Sequence, residues 1–357
     1  MKLIHCSDLH LDSPLGSHYT PEKARIRNAE LRAAFARIVE FAIDQQVDAV
    51  LIAGDLFDHT CVSAHTAAFV LEQMARAKDV TFFYLRGNHD GTRDALDTLT
   101  LPENLKTFGT SWTGYDWGDV RITGVEPHRQ TQQLPLESLE LSRQRLNIVM
   151  LHGQVSTQPG RDLIPLPLLR GKHIDYLALG HVHSYQTGKL DDRGIFCYSG
   201  CPEGRGFDEC GDKGFVLLET DGQRISHRFI PFASRKLVEL AVDISAAETA
   251  TQILAEMKQA SARIDREHLV KFVLTGTCAM QTHKDIPFLQ KMLEPEFFLV
   301  RIKDQTRLKI DRETYEYDVS LKGEFVRCVL ASERSEEEKS RIIRCGICAL
   351  SGEEVTP

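Results

Sequence analysis

Three features of the sequence predict an α/β protein whose chemistry sits at the carboxyl ends of a parallel sheet. Apolar runs at residues 2–6, 48–53 and 80–85 alternate with helical patterns over 22–46 and 64–78, the βαβαβ rhythm of a sheet with covered faces. From about residue 106 to 214 helical periodicity fades into short strands and turns, which predicts a second, mixed sheet packed on the first. Finally, five of the apolar runs end in a polar motif rich in His and Asp, at the position where open α/β sheets place their sites.

The elements follow in order. In the first helical pattern, Leu31, Phe35, Ile38 and Ala42 form one apolar stripe. Ser63 is an N-cap for the second. Around residues 231–235 the organisation changes. Strand patterns at 236–244, 269–275 and 297–303 enclose helical patterns at 246–264 and 286–293, predicting a small α+β domain. The tail carries two helices. Ser320 caps the first, with apolar positions Leu321, Phe325 and Val329; Ser335 to Glu338 form a capping box for the second, whose stripe is Ile343, Ile347 and Leu350. The expected divisions are 1–232, 236–312 and 313–357.

The composition, 42% hydrophobic and 26% charged over 357 residues, is that of a globular chain with ample core. No apolar run reaches the roughly 18–20 residues that span a bilayer, and the first strand leads directly into a polar motif, unlike a signal peptide. Nine irregularly spaced cysteines read as reduced thiols, so a cytoplasmic location is expected. The Cys345–Cys348 CxxC has no second pair, whereas a structural zinc needs four ligands. The net charge of −8 argues against an autonomous basic nucleic-acid binder, and in favour of a local basic surface or a partner that holds the nucleic acid.

The five motifs are Asp8-Leu-His10, Gly54-Asp55-Leu-Phe-Asp58, Gly87-Asn88-His89-Asp90, His152-Gly153 and Gly180-His181-Val-His183. They supply seven candidate metal ligands: Asp8, His10, Asp55, Asn88, His152, His181 and His183. All offer oxygen or imidazole nitrogen, a donor set for manganese, iron or zinc and too nitrogen-rich for calcium or magnesium. Seven ligands exceed what one catalytic ion with an open position uses, but suit two ions bridged by a carboxylate. Two divalent ions less two aspartates leave a charge of +2, which matches a hydroxide and one phosphodiester anion. Two such ions form the clamp used for in-line displacement at phosphorus. His5, His18, His59 and His173 are read as structural.

In this order the motifs resemble the calcineurin-like metallophosphoesterases, whose pattern is D-x-H, G-D-x-x-D, G-N-H-D/E, H and G-H-x-H. The resemblance implies a two-sheet sandwich flanked by helices (α/β/β/α). It implies that Asp8, His10, Asp55 and His183 hold one ion and that Asp55, Asn88, His152 and His181 hold the other, with Asp55 as the bridge. His89 then assists the leaving oxygen after attack by a bridging hydroxide, and Asp58 pairs with His89 and favours its imidazolium. That pairing agrees with the general effect of a carboxylate on a neighbouring histidine. Asp90 is left between a catalytic role and a hydrogen bond within its turn.

Departures narrow the substrate. A protein phosphatase would show Asp-Arg-Gly after the second motif, where this chain has Asp58-His59-Thr60. A purple phosphatase would have tyrosine at the position of Asp58. The chain further resembles DNA repair exonucleases of the SbcD type, through Ser7 to Pro14, Tyr198 to Arg205, Gly211 to Gly214, Leu321 to Val326 and Gly352 to Glu354. This implies a manganese-dependent exonuclease, a capping domain that positions DNA, and a tail that docks on a coiled-coil ATPase of the SbcC type. The tail helices packing on their own domain is an equal alternative, and a homodimer stays open. Arg205, Lys213, Arg228, Arg235 and Lys236 are candidate phosphate contacts, interleaved with Asp208, Glu209 and Asp212. The alternative activity is a cyclic-nucleotide or small-molecule phosphodiesterase; a third reading is a non-catalytic scaffold.

Overall fold

A computed structural model describes residues 1–16, 19–58, 62–90, 96, 99–127, 133–279, 282, 284–308 and 315–350. His18, His59, Thr60 and the segment from Gly352 to Glu354 lie outside them, as does the side chain of Cys348. The chain divides into two compact units, Met1–Lys236 and Leu237–Pro357. No described helix is long and apolar enough to cross a membrane.

The first unit holds two six-stranded sheets. One is built on three parallel strands, β1 (Lys2–Cys6), β2 (Ala49–Ala53) and β3 (Thr81–Leu85), whose registers pair Leu3 with Ala49 and Ala49 with Thr81. It is extended by β4 (Leu105–Thr107) beside β3, by β13 (Gly214–Thr220) antiparallel beside β1, and by β14 (Ile225–Pro231) antiparallel beside β13. The other contains β5 (Thr113–Trp117), β6 (Val120–Gly124), β7 (Leu146–His152), β10 (Tyr176–Gly180), β11 (Gln186–Lys189) and β12 (Ile195–Tyr198). Its order is β11-β12-β10-β7-β6-β5, with β7 and β10 parallel and His152 opposite Gly180. A small ribbon, β8 (Gln154–Ser156) with β9 (Leu163–Pro165), follows β7.

The sandwich forms because alternate residues of both sheets face one another. Leu3, Leu51, Phe83 and Val216 from one sheet share a core with Ile122, Ile148, Met150 and Tyr176 from the other. Each such fully buried side chain contributes about 1.5–3 kcal/mol. The outer face of the first sheet carries helices α1 (Pro21–Asp44) and α2 (Ala64–Arg76). Thr20 caps α1 by accepting the Lys23 amide, and Leu31, Phe35, Ile38 and Ala42 are buried, the expected stripe. Ser63 caps α2 through the Thr66 amide, as expected.

The second unit has a parallel three-stranded sheet, β15 (Leu237–Asp243), β16 (Leu269–Thr275) and β18 (Leu299–Asp304). Helix α3 (Ala250–Ser261) starts later than the periodicity suggests because Thr249 and Gln252 form a capping box. Helix α4 (Ile286–Leu293) and the ribbon of β17 (Thr277–Cys278) with β19 (Arg307–Leu308) complete the α+β part. The tail helices are α5 (Leu321–Leu330) and α6 (Glu336–Leu350). Ser320 and Ser335 cap them as expected. Two stripe positions are corrected: Leu321 is 70% exposed and Leu350 40% exposed, while Val326, Ile343 and Ile347 form the buried seam. Residues in a helix's first and last turns have fewer neighbours to bury them, so periodicity overreaches there.

Candidate metal centre

The parallel registers bring the ends of β1, β2 and β3 level with one another, and the ends of β7 and β10 level across the sandwich. Every motif therefore emerges at one edge. Asp8, Asp55 and Asn88 lie two or three residues beyond β1, β2 and β3; His152 ends β7, and His181 directly follows β10.

All seven candidate ligands meet there, each linked to the next by its donor atom. Asp8 Oδ1 lies 3.7 Å from His183 Nε2, which is 3.3 Å from His10 Nε2. His10 Nε2 is 3.7 Å from Asp55 Oδ2, and the same oxygen lies 3.3 Å from His152 Nε2. Asn88 Oδ1 closes the set at 2.9 Å from His152 Nε2 and 3.1 Å from His181 Nδ1. Asp55 Oδ2 thus faces imidazoles from both of the expected ligand groups. Its other oxygen accepts the His89 amide at 2.8 Å.

The backbone is bent to make this possible. Asp8 (φ 54°), His10 (φ 46°), Asp55 (φ 52°) and His181 (φ 97°) all occupy the left-handed region, at about 1–3 kcal/mol each for residues with a Cβ. Such strain persists only where the surroundings impose it, and it clusters at functional sites. Glycine is required at Gly87 for a different reason, close approach: a Cβ there would lie 2.2 Å from Asp55 Oδ1 and 2.7 Å from the Asp55 amide nitrogen. Gly87→Ala should therefore displace Asp55, weaken metal binding at least tenfold and leave the fold intact, as read by manganese titration and circular dichroism. Unchanged metal affinity would show that the turn relaxes without moving the carboxylate.

Electrostatics and tautomers suit cations. Burial disfavours a charged His152, yet the Asp55 carboxylate beside it overrides this and lifts its pKa to about 10. Asp55 is correspondingly held well below the usual carboxylate range, against its own burial, by His152 and His10. The pocket is thus one that stabilises positive charge. Metal–ligand bonds of about 2.1 Å place neighbouring ligand atoms roughly 3–3.5 Å apart, close to the separations found here. His152 Nδ1 lies 2.9 Å from the Ala53 carbonyl oxygen. As a donor to it, Nδ1 leaves Nε2, beside Asp55, as the nitrogen that would exchange its proton for a metal, the arrangement of metal-ligating histidines. The residues fit divalent metal.

His89 stands beside the cluster, with Nδ1 3.1 Å from Asp58 Oδ1. That hydrogen bond raises its pKa, against partial burial. Asp90 is buried, and its carboxylate accepts the amides of Phe57 and Gly87, both at 2.8 Å, so it braces two motif turns. His5 is buried against the Tyr176 hydroxyl at 2.9 Å, in keeping with a structural role.

Two side chains near the centre were not singled out for it by sequence. Glu209 Oε1 is 2.6 Å from His183 Nδ1, and Arg205 reaches both Glu209 Oε1 (3.2 Å) and Asp58 Oδ2 (3.3 Å). Their own signal, a Glu four residues after an Arg in a glycine-rich loop, is too weak to have found them. Lys213 corrects the expectation of a phosphate contact: it is 2% exposed, and its ammonium donates to the His183 carbonyl at 2.6 Å. Arg235 and Lys236 pair with Glu30 (2.8 Å) and Asp212 (3.1 Å).

A two-sheet sandwich with its metal-type ligands gathered at the strand ends defines a metallophosphoesterase, and residues 1–185 match the calcineurin-like phosphoesterase family, to which this chain belongs. It is a hydrolase of a family that uses divalent metals. The chain is 27% identical over 300 residues to YhaO of Bacillus subtilis, an uncharacterised metallophosphoesterase, covering 78% of this chain and 72% of that one. It is 24% identical over 316 residues to the DNA double-strand break repair protein Mre11 of Sulfolobus acidocaldarius, covering 80% of this chain and 77% of that one. Among solved structures, a dimetal phosphatase from Danio rerio aligns with a TM-score of 0.43 and 11% identity over 64% of this chain and 95% of that chain.

Proposed function

We propose that this chain is a two-metal DNA nuclease of the SbcD type, an exonuclease of DNA repair that works with a coiled-coil ATPase of the SbcC type. The observation that carries this reading is the complete set of seven donors converging around Asp55 with His89 poised beside them. Similarity to a DNA repair protein over 80% of the chain, well beyond residue 185, supports DNA as the substrate.

In this reading Asp8, His10, Asp55 and His183 would hold one ion, and Asp55, Asn88, His152 and His181 would hold the second. Divalent ions, manganese foremost, would supply charge neutralisation at phosphorus and an activated water. The remaining chemistry belongs to the chain. Asp55 presents one carboxylate oxygen to imidazoles of both ligand groups. Asp58 keeps His89 protonated and oriented, and His89 donates a proton to the departing sugar oxygen. The unit from Leu237 onward supplies the DNA-positioning part and, through its tail helices, the ATPase-docking part.

The test compares linear duplex DNA, single-stranded DNA, a cyclic nucleotide and bis(p-nitrophenyl) phosphate as substrates of the purified chain in manganese. Shortening of DNA that depends on His89 is expected. If only the cyclic nucleotide and the aryl ester turn over, with or without an added ATPase partner, the chain is a small-molecule phosphodiesterase instead.

A further inference from the structure

We infer that the Arg205–Glu209 pair, in the loop between β12 and β13, is a positioning brace that couples one metal ligand to the leaving-group acid. The inference rests on the two-metal reading above and deepens it. The brace runs through five side chains in direct contact. His183 Nδ1 meets Glu209 Oε1 at 2.6 Å, Arg205 Nη2 donates to that oxygen at 3.2 Å, and Arg205 Nη1 donates to Asp58 Oδ2 at 3.3 Å. Asp58 Oδ1 then meets His89 Nδ1 at 3.1 Å.

Each contact has a directional consequence. Glu209 can only accept, so His183 donates to it from Nδ1 and turns Nε2 towards Asp8 and His10. A carboxylate behind a ligating histidine raises its basicity and fixes its ring. The guanidinium fork of Arg205 spans two carboxylates at once, a geometry a lysine ammonium does not reproduce. It holds Asp58 at the distance at which Asp58 can orient His89.

The loop is anchored for this task. Glu209 also accepts the Arg205 amide at 2.7 Å, and the Tyr19 hydroxyl donates to the Arg205 carbonyl at 2.9 Å. Arg27, buried under the loop from α1, donates to Glu203 Oε2 at 3.2 Å and to the Gly204 carbonyl at 2.8 Å. Glu203 in turn takes Arg37 at 3.1 Å and the Ser234 amide at 2.6 Å. Glu209 is 6% exposed and the Arg205 side chain 18%. Neither is a freely moving surface charge, although both come from a loop.

The test has a binding readout and a kinetic one. Manganese is titrated calorimetrically into the metal-free wild-type chain and into Glu209→Gln and Arg205→Lys. The wild type must take two ions per chain; if it does not, the two-metal reading fails, whatever the variants do. Given two ions, Glu209→Gln should weaken one of them about 10–100-fold, the usual cost of losing such a partner, and leave the other within a factor of two. The visible spectrum of the cobalt-loaded variant should shift, because the His183 ring is released. Unchanged affinities with an unchanged spectrum would overturn the role of Glu209. Should Glu209→Gln fail to fold, Glu209→Asp keeps the charge but shortens the reach, and carries the same comparison. Arg205→Lys should bind both ions and lose about tenfold in kcat on DNA at unchanged KM, with bis(p-nitrophenyl) phosphate, whose leaving group needs no proton, hydrolysed nearly as fast as by the wild type. A loss confined to KM would make Arg205 a substrate-phosphate contact rather than a brace.

Discussion

His89→Ala should retain both metal ions and lose about 10²–10⁴-fold in kcat on DNA, the range for a positioned general acid, or about 3–5 kcal/mol of barrier. His89 contributes no donor atom to the chain of contacts that joins the seven ligands. It packs edge-on to His10 with ring centroids 4.9 Å apart and hydrogen-bonds to Asp58. Its removal therefore leaves the metal pocket standing. The loss should depend on the leaving group. A sugar alkoxide needs a proton to depart, whereas p-nitrophenolate leaves unaided, so bis(p-nitrophenyl) phosphate should be hydrolysed nearly as fast by the variant as by the wild type. Metal content, kcat on DNA and kcat on the aryl ester together decide the matter. Equal losses on both substrates would mean that His89 positions the phosphate instead of protonating the leaving group.

Asp55→Asn should abolish function more completely, with hydrolysis of every phosphodiester at background and fewer than one ion held per chain. One carboxylate oxygen of Asp55 accepts the His89 amide and the other faces His10 and His152. An asparagine that keeps the first contact turns its NH₂ group towards the imidazoles, and a donor cannot ligate a cation. Binding to the folded state alone stabilises a protein by about 2.7 kcal/mol when free ligand is at a hundred times Kd. The wild type should accordingly melt at a higher temperature in excess manganese, and Asp55→Asn should lose that increment. Two tightly held ions in Asp55→Asn, with activity within tenfold of wild type, would remove Asp55 from the bridging position.

Much of the centre was legible in the sequence because its donors follow directly from strand ends. An apolar run closed by Asp8, Asp55, Asn88, His152 or His181 is a local pattern, and parallel pairing puts all carboxyl ends of neighbouring strands at one edge. The caps at Ser63, Ser320 and Ser335 were legible for a similar reason, since a cap and the amide it accepts lie three residues apart. Helix stripes were legible only in mid-helix: all four predicted positions of α1 are buried, while Leu321 and Leu350 at the ends of α5 and α6 are exposed.

The sequence by itself determined the alternation of strands and helices, the set of candidate ligands and the order in which they occur. Only the tertiary structure decided what stands behind those ligands. Glu209 reads as one acid among several in a mixed-charge loop, and becomes the partner of His183 once β10, β12 and β13 bring residues 26 apart into contact. Arg205 and Asp58 are 147 residues apart and meet at 3.3 Å. Lys213 looks like a surface cation, but the fold closes over it. The physical reason is one of range. Periodicity and capping are set by neighbours a few residues away, whereas burial and ion pairing depend on which distant segments the sheets draw together.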